Sequence, residues 1–110
     1  MKTKLDHYNL SILINGLYTM RDQYDSKKLS QINDLLLRLI DIHESLKPKR
    51  KARIIFSGTE LHIVRKCLID WRNQFLREGK LGAAECVGEL ILLVSGQVSI
   101  CAYIHTTMPS

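Results

Sequence analysis

Along most of the chain, apolar residues recur every three or four positions, the spacing of one face of an α-helix. Leu10, Leu13, Leu17, Met20 and Tyr24 mark the first stripe, broadened by Ile14 and Tyr18. They predict a helix from about Asp6 to Tyr24, with Asp6 as its N-cap. Gly16 lies inside that helix and weakens it by about 1 kcal/mol relative to alanine. Asp25 and Ser26 interrupt the pattern, and either side chain suits the cap of a second helix. Leu29, Ile32, Leu36, Leu39 and Leu46 carry that helix from about Lys27 to Leu46, with Leu35 and Ile42 alongside. Pro48 ends it, since proline lacks an amide donor and pushes Lys47 out of helical geometry.

The strongest local signal comes later. Ser57 and Glu60 have the spacing of a capping box, and Phe56 and Leu61 flank it as a hydrophobic staple. A third helix therefore starts at Gly58 or Thr59, after an extended Ile54-Ile55-Phe56. Leu61, Val64, Leu68, Trp71 and Phe75 form its stripe, with Trp71 read as a core anchor. Gly79 suits its end, where a left-handed conformation costs glycine little. A fourth helix begins near Lys80, with Leu81, Ala84, Val87, Ile91 and Val94 on one face. Leu90, Leu92 and Leu93 extend that face almost all round. A helix apolar on every side is buried on every side, so this one is either central or meets another subunit. The segment Gln97 to Ile104 reads either as a continuation or as a short strand pairing with Ile54–Phe56.

The predicted fold is all-α: a four-helix bundle-like domain of two related helical hairpins, with room for a minor β-ribbon. One domain fills the 110 residues. Hairpin 1 spans about 6–46, a basic linker 47–53, hairpin 2 about 57–95, and an apolar tail 97–105. An offset of 51 residues aligns Leu10 with Leu61, Ile12 with Ile63, Leu17 with Leu68 and Arg21 with Arg72. It also sets Met20 on Trp71. Either the hairpins are structurally equivalent, or any two amphipathic hairpins look this much alike.

Charge changes the picture in one place. The net charge is +5, and Lys47, Lys49, Arg50, Lys51 and Arg53 put five cations into seven residues. Without them the remaining eleven Lys and Arg equal the eleven Asp and Glu. The excess charge is thus one anion-seeking segment, suited to nucleic-acid phosphates or an acidic protein patch. A solvated connector is the competing reading. No aromatic residue interleaves with the charges, which argues against base stacking on single strands. The three cysteines are odd in number and widely spaced, pointing to a reducing compartment. Cys67 and Cys86 are expected to be buried. With no convincing signal peptide, and Leu90 to Ile104 too short for a span, a cytoplasmic protein with no membrane partner is expected.

Signatures of chemistry are sparse. The chain lacks the phosphate-cradling and dinucleotide glycine patterns and GxSxG. No Cys/His spacing suits zinc, and Glu85 and Glu89 lack the ExxH of a bundle-type di-metal site. Neither a metal nor a cofactor is expected. Arg38-Leu-Ile-Asp-Ile-His43 resembles the Arg-x4-6-His motif of HEPN-type ribonucleases, which are small all-helical dimers. That resemblance implies ribonuclease activity through Arg38 and His43. Against it, five helical residues set the two side chains roughly 140° apart, and seven arginines and four histidines yield about one such match by accident.

Three functions follow, in this order. The first is a non-enzymatic interaction or regulatory protein, self-associating as a homo-oligomer through Leu90, Leu92, Leu93 and Val98, with a further protein as partner. The second is a nucleic-acid-binding accessory protein that holds DNA or RNA with the basic linker. The third is a HEPN-like ribonuclease.

Overall fold

A computed structural model describes residues 2–95 of the chain. Strand β1 (Lys2–Asp6) leads into helix α1 (His7–Met20), and a single 3-10 turn, Arg21–Gln23, follows. Then come α2 (Ser26–Ser45), β2 (Lys51–Ile55), α3 (Gly58–Arg77) and α4 (Leu81–Ser95). The fold is a helical bundle with a minor two-stranded antiparallel sheet. The expectations for Val98 and the 97–105 tail lie outside the described residues.

Local chemistry sets most boundaries. The Asp6 carboxylate accepts from the Asn9 amide at 2.7 Å, and the Asp25 carboxylate from the Lys28 amide at 2.9 Å, capping α1 and α2. At α3 the capping box is complete: the Glu60 amide donates to Ser57 Oγ, and the Ser57 amide donates to Glu60 Oε1. Gly79 closes α3 at φ 75°, a left-handed conformation that suits glycine.

Each helix buries most of the stripe that its periodicity marks; Tyr18 and Leu81, read as stripe residues, are exposed, and Trp71 is half-buried. Leu10, Leu13 and Leu17 of α1 meet Ile32, Leu35, Leu36 and Leu39 of α2 and Ile63, Val64, Cys67 and Leu68 of α3 in one core. Burying each such leucine contributes about 1.5–3 kcal/mol. Both α1 and α3 pack against every other helix, whereas α2 and α4 flank them. Leu17 and Leu68 are both fully buried, as equivalent hairpins require.

Gly16 has a role that propensity does not reveal. A Cβ at this position would sit 2.7 Å from Cε3 of Trp71 and 3.3 Å from Cδ2 of Leu68. The missing side chain is what lets α1 and α3 approach.

Among the described residues, the ribbon's second strand is the N-terminal segment, which periodicity did not mark. Ile54 pairs with Thr3 of the N-terminal segment, in a register running from Lys2 opposite Ile55 to Asp6 opposite Lys51. Leu5, Ile54 and the following Phe56 point inward and close one end of the core. Two observations concern α4. It is a flanking helix rather than a central one. Cys86, expected to be buried, is exposed, because its position is a step of about 100° from the buried Val87.

Candidate functional site

The basic segment is more ordered than a connector. After α2, the Arg50 amide donates to the Lys47 carbonyl at 3.0 Å, closing a turn with Pro48 in the second position. Proline's fixed φ suits that position. The chain then enters β2, so Lys51 and Arg53 stand on a strand. Side chains alternate along a strand. With Ile54 packed inward, Lys51, Arg53 and Ile55 face out, and all three are exposed.

Pairing with β1 enlarges this charged face. Lys4 lies directly opposite Arg53 and is also exposed. Like charges facing each other across strands destabilise a sheet. Asp6, opposite Lys51, is the acid on this face of the ribbon, and its carboxylate is engaged at the N-terminus of α1. Six cations, Lys4, Lys47, Lys49, Arg50, Lys51 and Arg53, are thus exposed on the ribbon and on the turn that leads into it. Lys4 was the residue that the run of charge did not point to. The missed signal is the alternation Lys-Thr-Lys-Leu-Asp, which matches Lys-Ala-Arg-Ile-Ile in period two.

Arg38 and His43, paired by the ribonuclease resemblance, do separate structural tasks. Arg38 Nη1 lies 3.1 Å from Glu60 Oε2, and its Nη2 donates to the Ile55 carbonyl at 3.2 Å. It thereby ties α2 to the junction of β2 and α3. His43 packs against His7 instead, with ring centroids 3.9 Å apart and planes tilted by 46°, and its Nε2 is buried with no hydrogen-bond partner among the described residues.

A third polar cluster links the α1–α2 connection to α3. The Tyr24 hydroxyl donates to Asp70 Oδ2 at 2.7 Å, and Lys66 Nζ lies 3.1 Å from Asp70 Oδ1. Burial, then the Asp70 contact, pushes the Tyr24 hydroxyl well above its ordinary range, so it remains a donor. Burial alone would raise the Asp70 carboxyl. Hydrogen bonds from Tyr24 and Lys66 outweigh that and hold it below the usual carboxylate range. Burial also pushes the Cys67 thiol up, away from the thiolate needed for nucleophilic chemistry. The cluster fastens helices.

The proposed interface residues of α4 separate. Leu90 is fully buried in the chain's own core and offers nothing to a partner, since position 90 shares the inward face of Val87 and Val94. Leu92 and Leu93 are half-buried. Arg72, Leu76, Leu81, Glu85, Glu89 and Leu92 line an open groove of about 570 Å³ between α3 and α4. The described residues include no cluster of three or more His, Cys, Asp or Glu placed to hold a metal. No described helix is long and apolar enough to cross a membrane.

Comparison with known protein families, curated proteins and solved structures gives no match.

Proposed function

We propose that this chain binds the phosphate backbone of double-stranded nucleic acid through the outer face of its β1–β2 ribbon and the turn preceding β2. The observation that carries this reading is the Lys4–Arg53 pair. It joins a second element to the basic segment and sets like charges side by side on an exposed face. Sequence alone ranked a regulatory interaction protein first; the wider cationic face supports reversing that order.

The chemistry favours phosphates over bases. Lysine and arginine on a solvated face exchange condensed counterions for direct contacts, and the released ions drive binding. The outward positions of the strands offer no Asn, Gln or aromatic side chain for reading or stacking on base edges. The ribbon's inner face is occupied by Leu5 and Ile54, so it cannot enter a groove as a free hairpin. It lies against the backbone and is indifferent to sequence.

Fluorescence anisotropy with a labelled duplex, titrated across salt, tests the reading. Six phosphate contacts would give log K against log salt a slope of about −5 on DNA. Replacing Lys49, Arg50 and Lys51 together with glutamate should abolish binding at about 50 mM salt, where the electrostatic contribution is strong. Circular dichroism should report an intact helical fold. A wild-type chain that fails to bind DNA or RNA duplex at that salt refutes the proposal.

A further inference from the structure

We infer that the outer face of the α3–α4 hairpin is a two-fold interface with a second copy of this chain, in which Arg72 of each copy sits over Glu85 and Glu89 of the other. This surface is separate from the ribbon, and the inference stands or falls independently of nucleic-acid binding.

The argument begins with spacing. Arg65, Ile69, Arg72 and Leu76 are all exposed and follow one another at steps of four, three and four. They form one outward stripe of α3, alternating basic and apolar. On α4, Leu81, Glu85, Glu89 and Leu92 make a comparable stripe that is acidic between apolar ends. Arg72 and Leu76 of the first stripe and all four residues of the second line the open groove between the helices. The tight connection at Gly79 makes this an antiparallel hairpin. Arg72 is level with Gly88, whose missing Cβ would lie 3.7 Å from its Nε. Arg72 is therefore at the height of Glu85 and Glu89.

None of these three charged residues forms an ion pair within 4.0 Å among the described residues. Around them lie large apolar side chains left in solvent: Leu81 is 68% exposed, Leu76 42% and Ile69 38%. An apolar face carrying separated opposite charges matches what an isologous interface requires, a patch complementary to itself.

Charge also selects the symmetry axis. A two-fold axis lying in the interface and running across the helices would set α3 on α3, with Arg72 facing Arg72. An axis in the interface and running along the helices sets α3 of one copy over α4 of the other. Arg72 then keeps its height and meets the partner's glutamates, while Leu76 and Leu81 of both copies gather at one end. Only the second arrangement pairs opposite charges, and like-charge juxtaposition is costly at an interface.

A charge swap tests both the interface and its axis. The full chain should sediment at about twice 12.7 kDa at micromolar concentration. Arg72→Glu alone, and Glu85→Arg with Glu89→Arg, should each weaken self-association at least tenfold and sediment at monomer mass. An equimolar mixture of the two variants should return to dimer mass, because the swapped charges complement only between unlike chains. Thermal melts of each variant establish that it is folded, and the mixture provides the internal control. A wild-type monomer across the concentration range would overturn the inference, leaving the face to residues 96–110 or to a different protein. So would variants that dimerise unchanged, or a mixture that stays monomeric.

Discussion

At Gly16 two physical effects oppose each other, and their balance can be measured. Helix propensity favours alanine there by about 1 kcal/mol. The added methyl, however, would stand 2.7 and 2.9 Å from two ring carbons of Trp71, well inside contact distance. Overpacking of this kind typically costs about 1–3 kcal/mol, so the steric effect wins. Gly16→Ala should therefore lower the midpoint of urea unfolding although it improves the helix. In the background of Trp71→Leu, which removes the ring, the same substitution should become neutral or stabilising. An equal loss in both backgrounds would mean that Trp71 is not the obstacle. Sequence identified the glycine and the tryptophan separately. Their meeting depends on how α1 crosses α3, which neither stripe encodes.

Among the elements, caps and stripes were legible where the determinants are local. Ser57 and Glu60 act within one turn of helix, and the complete capping box formed where their spacing placed it. The strand β1 was not legible in the same way, because its partner lies about fifty residues further along the chain. Tyr24 and Asp70 are similarly distant, and their contact fastens the α1–α2 connection to α3. Since the folded Asp70 carboxyl titrates below its usual range, its contribution is fully present above about pH 4. It is lost as pH falls through the lowered value. Thermal melts from pH 7 to pH 3 should show Asp70→Asn less stable than wild type at neutral pH. The gap should narrow with acid, as the wild-type carboxylate gains its proton. A constant gap over that range would show that the charge of Asp70 contributes nothing.

At the scale of the whole molecule, α1 and α3 form the centre, α2 and α4 flank them, and the ribbon closes one end. The bundle class follows from periodicity alone, since each stripe buries most of what it marks. The candidate site was only partly legible. The run from Lys47 to Arg53 stands out as charge, but its fixed turn, its strand and the addition of Lys4 come from a long-range pairing. That pairing makes Lys4 the most telling position in the protein. Exchanging it for glutamate replaces a like-charge pair with an opposite one across from Arg53, which should leave the melting temperature unchanged or slightly raised. Any loss of binding then cannot be ascribed to unfolding. Duplex affinity of Lys4→Glu, followed across salt beside wild type, is the measurement that bears most directly on the cationic face. Weaker binding, with the slope of log K against log salt flattened by about 0.9 or more, is the predicted result. Wild-type affinity and slope in the Lys4→Glu chain would contradict it.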